Sequence, residues 1–113
     1  MHARSKKRNE SGSSALLFAA LGDDTRLRLA LRLSSDGPMS ITRLTAGTRV
    51  TRQAITKHLR VMGRAGLLRS QRRGRERIWQ LDQQRLAAAR RYLDVISRQW
   101  DDALCRLRAF VEN

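Results

Sequence analysis

The segment from Thr51 to Leu81 constrains the fold more than any other part of the chain. Its first half, TRQAITKHLRVMGRAG, repeats apolar residues at intervals of three and four, which is the period of a half-buried helix. Its second half contains two runs with strand character, LLRSQR and ERIWQL, joined around Arg73 and Gly74 in a pattern typical of a hairpin. Because two strands alone are marginally stable, this hairpin must pack against helices.

Three shorter helices are predicted before this segment. The run SALLFAAL is apolar on nearly all sides and ends at Gly22, and the run DDTRLRLALRL starts with Asp23 or Asp24 as its N-cap. Ser40 is suited to cap a third, short helix after the break at SSDGP. On the second helix we expect one apolar face made of Leu27, Ala30 and Leu31, with Leu33 beside them. The helix capped by Thr51 is expected to bury Ala54, Ile55, Leu59 and Met62.

A long helix is predicted after the hairpin, over about residues 83–111. Its apolar residues step by three and four and form a heptad-like seam: Leu86, Ala89, Leu93, Ile96, Trp100, Ala103, Leu107 and Phe110. The seam and the first helix together expose more apolar surface than one small domain can cover, so we expect a homodimer. The predicted dimer interface consists of Leu16, Leu17, Phe18, Leu93, Ile96, Trp100, Leu104 and Leu107.

Length and charge restrict the function. The chain has 113 residues, enough for one modest core, and a net charge of +14. A surplus of this size calls for a polyanionic partner: nucleic acid first, an anionic membrane surface second. Residues 1–13 are interpreted as a flexible basic arm and 14–113 as the folded domain. With no apolar run long enough to span a membrane and one cysteine, Cys105, we expect a protein of the reducing cytoplasm.

The surplus of cations is concentrated in one region. From Arg43 to Arg77 the chain carries eleven cations and one acid, Glu76. A basic surface that merely faces solvent would spread its charge along the chain, so this clustering favours nucleic-acid binding. The predicted element order is α-α-α-α-β-β-α, a mainly α fold with a small β-hairpin, in which a short helix, a turn and a polar-faced helix form a helix-turn-helix.

The candidate DNA-binding residues lie on the predicted recognition helix, residues 51–65, and on the hairpin, residues 67–81. Gln53 can pair with an adenine edge and Arg52 with a guanine edge. Thr51, Thr56 and Lys57 suit phosphate or mixed contacts, and Arg60 lies further toward the DNA backbone. The arginine-rich hairpin tip is suited to flanking phosphates or a narrow minor groove, through Arg72, Arg73, Gly74 and Arg75.

Three stretches of this sequence resemble the ArsR-type winged helix-turn-helix repressors: ALGDDTRLRLALRL, VTRQAITKHLRVMGRAGLLRS and RRGRERIWQLD. The resemblance runs from about Leu16 to Leu86. It implies a homodimer packed through its terminal helices, recognition helices in successive major grooves of a palindromic operator, and wings on the flanks. It also places Thr51, Arg52, Gln53, Thr56 and Lys57 at DNA-reading positions, and Arg73, Gly74 and Arg75 at the wing tip.

The sequence departs from the metal-sensing members of that family. The helix before the turn, SITRLTAG, contains no Cys, His or acid, and the last helix contains no histidine. Without the imidazole or thiolate ligands that zinc and nickel sites use, no metal or cofactor is expected, and the resemblance is to a non-metal-sensing subgroup whose inducer is often unknown. His58 is interpreted as a structural or phosphate-contacting group, and Cys105 as a small buried residue near the seam.

Two alternatives to a sequence-specific repressor remain open. A nonspecific architectural DNA-binding protein would show a steep salt dependence with little preference among sequences. A protein-interaction module would dock a partner on the long helix, with the basic face incidental. An enzyme is not expected, because neither His2 nor His58 accompanies a nucleophile and an orienting acid, and no glycine loop suited to phosphates is present.

Overall fold

The computed structural model describes residues 14–112. Five helices and three strands follow one another in the order α-α-β-α-α-β-β-α. In chain order they are α1 (14–21), α2 (Asp24–Asp36), β1 (Met39–Ser40), α3 (Ile41–Thr45), α4 (Arg52–Arg64), β2 (Leu68–Arg73), β3 (Glu76–Leu81) and α5 (Gln83–Glu112). The predicted mainly α fold with a β-hairpin is confirmed. The predicted basic arm, residues 1–13, lies outside the described residues.

Side-chain caps fix where three of the helices start. The oxygens of Asp23, Ser40 and Thr51 each accept a hydrogen bond from the backbone N–H three residues later, at 3.0, 3.3 and 3.1 Å. Each bond satisfies a donor that the first helical turn leaves without a partner. The predicted caps Ser40 and Thr51 therefore agree with the structure, and of the two residues that the sequence left open for α2 the structure uses Asp23 and not Asp24.

The sheet has one strand more than the sequence predicted. It is antiparallel with the order β1-β3-β2, and β1 pairs Met39 with Trp79 and Ser40 with Ile78. A strand of two residues directly after Pro38 has no alternation to reveal it, so local pattern alone could not find β1. Its pairing ties the connection between α2 and α3 to the base of the hairpin.

The core lies where α4 crosses the sheet and α2. Its buried residues include the predicted α4 face, with Ile55, Leu59 and Met62 each at most 1% exposed. Trp79 of β3 packs against α4 beside Gly63, where an added methyl group would lie 3.4 Å from the indole ring. The other members of this core cluster are Leu17, Leu29, Ala30, Leu33, Met39, Leu44, Leu67, Leu68 and Ala89.

The predicted apolar face of α2 was partly wrong. Leu29, Ala30 and Leu33 are buried, whereas Leu27 and Leu31 are 43% and 59% exposed. Leucine occurs at every second position from 27 to 33, so the sequence offers two candidate faces about 160° apart. Packing against α4 and β3 selects the pair at 29 and 33, which lies one helical turn apart with Ala30 beside it.

Within residues 14–112, helix α5 packs against the other elements only near its start. Leu86 is half-buried and Ala89 is buried, but the apolar residues from Leu93 onward are exposed. Cys105 is exposed as well, so its interpretation as a small buried residue was wrong for the single chain. Five residues beyond Trp100, it points about 140° away from the seam. None of the helices between residues 14 and 112 combines the length and apolarity needed to cross a membrane.

Two leucines of the same size test the distinction between core and surface. Leu59→Ala should lower the free energy of unfolding by about 3 kcal/mol, because it opens a cavity at a fully buried site. Leu31→Ala is the matched control and should change it by less than about 0.5 kcal/mol. Urea unfolding followed by circular dichroism measures both, and similar losses at the two sites would contradict the α2 orientation.

Candidate nucleic-acid interface

The exposed face of α4 is basic and polar and carries no acid. Gln53, Lys57 and Arg60 recur at helical spacing and are all exposed, opposite the buried residues Ile55 and Met62. The amphipathic pattern places the buried apolar residues of α4 on one side and the long side chains of Gln53, Lys57 and Arg60 on the other. This is the arrangement that allows a helix to be fixed to a core while its outer face enters a groove.

Hydrogen bonds within the protomer engage three of the predicted recognition residues. Thr51 caps α4, and Thr56 donates its hydroxyl to the carbonyl oxygen of Arg52 at 2.8 Å. The guanidinium of Arg52 donates to the hydroxyl of Thr42 on α3 at 3.3 Å, which holds it over the helix-turn-helix. The side chains of Gln53, Lys57 and Arg60 make no hydrogen bond within residues 14–112, so their polar groups face outward unpaired.

The hairpin of β2 and β3 projects as a wing with a two-residue turn. Arg73 pairs with Glu76 across the ladder, and Gly74 and Arg75 form the turn. Gly74 has a φ of 62°, which suits glycine at the first position of a tight hairpin turn. Residues 69–77 are all exposed, so the predicted wing arginines lie together at its outer end.

Two arginines oppose each other across the wing. Arg72 and Arg77 are direct cross-strand partners, an arrangement that destabilises an isolated hairpin by like-charge repulsion. The guanidinium of Arg77 donates to the hydroxyl of Ser70 at 3.0 Å, and Arg69 lies 3.9 Å from the carboxylate of Asp82. Neither contact neutralises Arg72, so the outer half of the wing keeps a surplus of positive charge that a polyanion would relieve.

A polar cluster joins α4 to the junction of α1 and α2. His58 faces this junction, with its Nδ1 atom 3.4 Å from the Arg26 guanidinium and 3.9 Å from the Asp23 carboxylate. Arg26 also donates to the carbonyl oxygen of Ala20 at 2.7 Å. His58 is thus placed between helices rather than on the outward face of α4. Helical periodicity gave no sign of this cluster, because its members are distant in sequence.

The backbone N–H of Arg26 lowers the pKa of Asp23 below its ordinary value of 3.8 by donating a hydrogen bond to the carboxylate. Desolvation of the carboxylate raises the Asp23 pKa, while the electrostatic interactions with Arg26 and His58 lower it further. The carboxylate is therefore a charged cap at the N-terminus of α2, where the helix dipole also favours an anion.

Arg64 is a further cation on the outer side of α4 that was not predicted as a site residue. Arg64 is exposed and follows Gln53 by eleven residues, about three helical turns, so it extends the same stripe toward the C-terminus of the helix. The charge count included Arg64, but it was not named as a site residue. Helical spacing alone would have found it.

Within the part of the chain that the structure describes, no three His, Cys, Asp or Glu side chains are grouped closely enough to hold a metal ion. His58 lies beside the Asp23 carboxylate and the Arg26 guanidinium. The exposed side chains of α4 and of the wing supply hydrogen-bond donors and positive charge, which suit phosphate oxygens and base edges.

Comparison with known proteins agrees with this geometry. Residues 21–71 match the family HTH_20, a helix-turn-helix domain. The HTH-type transcriptional regulator Rv2034 of Mycobacterium tuberculosis is 39% identical over 87 residues, covering 77% of this chain and 78% of that protein.

Solved structures show the same architecture. An ArsR-like transcriptional regulator from Rhodococcus sp. RHA1 is 33% identical with a TM-score of 0.72, covering 87% of this chain and 92% of that chain. The antimony-specific transcriptional repressor AntR is 28% identical with a TM-score of 0.59, covering 80% and 83%.

The fold and its basic helix-and-wing surface define a winged helix-turn-helix transcriptional regulator, a DNA-binding protein and not an enzyme. The chain belongs to the ArsR family of these regulators, whose members bind DNA and commonly form dimers.

The charge on Asp23 should make the stability of the protein depend on pH. A lowered pKa in the folded state stabilises the fold above the unfolded pKa, and this contribution is lost as the pH falls through the folded value. Asp23→Asn keeps a capping oxygen but removes the charge. We expect the variant to be less stable than the natural protein at about pH 7, and the difference to shrink as the pH falls below 3.8 and through the lowered pKa of the folded state.

Comparison with Asp23→Ala separates the contribution of the capping oxygen from that of the charge. Alanine removes both, whereas asparagine removes only the charge. The alanine variant should be less stable than the natural protein at neutral and at acidic pH. Urea unfolding at the two pH values measures these differences. A stability deficit of Asp23→Asn that stayed constant between them would show that the carboxylate charge is not responsible.

Proposed function

We propose that this regulator is a homodimeric repressor that binds a palindromic operator with α4 in the major groove and the wing on the flanking DNA. The observation that carries the proposal is the combination of an acid-free outer face on α4 with a cationic wing on the same protomer. A helix fits the major groove, and a ribbon beside it can follow the adjacent backbone.

Base reading is assigned to the start of α4. Gln53 is exposed and has no internal partner within the described residues, so its amide is available for both polar atoms of an adenine edge. Arg52 can pair with guanine once its contact with Thr42 is exchanged. Because Thr56 already donates its proton internally, it is left as an acceptor or as a methyl contact for thymine.

Contacts to the DNA backbone are assigned to the remaining cations and hydroxyls. Thr51, Lys57 and Arg60 on α4 contact phosphates beside the bases that are read. On the wing, Arg73 and Arg75 flank Gly74, whose lack of a side chain permits close approach to DNA. The wing therefore adds affinity and register, through Arg72, Arg73, Gly74 and Arg75.

Dimerisation is assigned to α5 and the outer side of α1. Leu93, Trp100 and Leu107 are 52%, 64% and 59% exposed along one seam, and Leu16 of α1 is 59% exposed. Such an unpaired apolar face is typical of a subunit interface. Ile96 and Leu104 lie on the same seam, and Phe18 is half-buried. Leu17 is 2% exposed and belongs to the protomer's own core, so it offers little area to a partner.

Repression is supported by the similarity of this chain to AntR, which is itself a repressor. We place the protein in the cytoplasm, with residues 14–113 as the DNA-binding and dimerisation domain and residues 1–13 as a basic arm. No inducer is assigned by this proposal.

The arginine-rich wing favours a second candidate function, nonspecific coating of DNA. Arg72 and Arg77 would suit any duplex equally well, because phosphate contacts carry no sequence information. Selection of bound sites from random duplex DNA decides between the two. A palindromic consensus supports the repressor, and recovery without enrichment of any sequence supports the architectural protein.

Gln53→Ala should relax base preference by about 1–3 kcal/mol at one position in each half-site, because the bidentate amide contact is lost. Arg73→Ala is the comparison variant. It should weaken all duplexes about equally and reduce the steepness of the salt dependence. Affinities for a panel of single-base operator variants at several salt concentrations separate the effects. Unchanged discrimination in Gln53→Ala would refute its assignment as a base reader.

Trp100→Glu should yield monomers and remove operator binding together, because a charge is placed in the centre of the apolar seam. Ala109→Glu is the matched control, since nine residues further along α5 it adds the same charge on the opposite side of the helix. Sedimentation velocity measures the oligomeric state of both. A Trp100→Glu protein that still sedimented as a dimer would rule out the seam.

A further inference from the structure

A concave surface lies away from the outer face of α4. A cavity of about 390 Å³ opens between α2 and the turn that connects α3 to α4. Its floor is apolar and consists of Leu29, Leu44 and Ile55, each at most 5% exposed. This volume falls within the range of about 300–1,000 Å³ typical of small-molecule sites.

The rim of the cavity is basic. Arg28, Arg32 and Arg49 line it, and no acid is among the lining residues. Arg32 is fixed in place, because its guanidinium donates to the carbonyl oxygen of Leu44 at 3.1 Å. Arg28 is paired with Asp24 in an exposed contact that a ligand could replace at little cost.

Arg49 differs from the other two arginines. It is exposed and makes no ion pair or hydrogen bond to any group within residues 14–112. Its neighbour Val50 is half-buried and also lines the cavity, so charge and apolar surface meet at one edge. The turn is held by the Thr48 hydroxyl, which lies 3.0 Å from the Thr45 carbonyl oxygen and 3.2 Å from that of Val50.

We propose that this cavity binds a small organic anion with an apolar body, such as a medium-chain or aromatic carboxylate. The carboxylate pairs with Arg49 and Arg28 at the rim, and the apolar body covers Leu29, Leu44 and Ile55. A bidentate guanidinium contact suits a carboxylate, and the apolar floor gives such a ligand an advantage over inorganic phosphate. This site is separate from the proposed DNA contacts and does not depend on them.

The position of the cavity gives the bound anion a direct contact with the recognition helix. Ile55 of α4 contributes to the floor, and Val50 immediately precedes the cap of that helix. The ligand would therefore contact α2, the turn and α4 at once.

Titration of the ¹⁵N-labelled natural protein with octanoate, without DNA, tests the proposal. We expect saturable amide shifts centred on Gly47, Thr48 and Val50. The neutral analogue 1-octanol and inorganic phosphate should each bind at least about tenfold more weakly, because 1-octanol lacks the carboxylate and phosphate lacks the apolar chain. Because no DNA is present, the result is independent of operator binding.

Arg49→Gln should raise the octanoate dissociation constant about fivefold to tenfold, since one charge-assisted contact is lost. Arg43→Gln removes the same charge from an exposed residue of α3 outside the cavity, and it should leave octanoate binding unchanged. Equal binding of phosphate would identify a phosphate site instead, and equal binding of octanol would show that the arginines do not recognise the ligand. Shifts confined to α5, or absent altogether, would also overturn the proposal.

Discussion

The packing of α4 against the sheet is the interaction on which the rest of the structure depends. The Trp79 ring lies against Gly63, where an added methyl group would come to 3.4 Å from it, so α4 and β3 pack in close contact. Since β3 is also the central strand, its position fixes that of β1 on one side and that of β2, the other strand of the wing, on the other. The base of the wing is therefore positioned by its packing on α4, and the relative placement of helix and wing sets which duplex contours they can contact together.

The cluster of Asp23, Arg26 and His58 adds orientation to that packing. Apolar contacts resist separation but allow a helix to slide or roll, whereas polar contacts have defined directions. Through Arg26, the carbonyl end of α1 is connected to the middle of α4. The helix proposed to read bases is thus linked to one of the two helices proposed to meet the second protomer.

The sequence was sufficient for elements whose stability is local. Side-chain caps, glycine turns and the apolar period of α4 correctly predicted the helix-turn-helix, and charge clustering predicted that α4 and the wing form one basic surface. Features created by tertiary contact were not predictable. The strand β1 exists because Trp79 and Ile78 are there to pair with it, and the orientation of α2 was decided by its neighbours among two leucine faces. His58 was placed only by its contacts with Arg26 and Asp23, and the predicted DNA and dimer contacts remain predictions.

The repulsion between Arg72 and Arg77 has a consequence for how the wing behaves in different solutions. An anion bound between the two guanidinium groups reduces their repulsion. Its binding therefore also stabilises the pairing of β2 with β3. Sulfate and other multivalent buffer anions would then compete with duplex for the wing while making the free wing more ordered. Conversely, the wing would be most mobile in dilute monovalent salt, and contact with a phosphodiester chain would be the event that stiffens it.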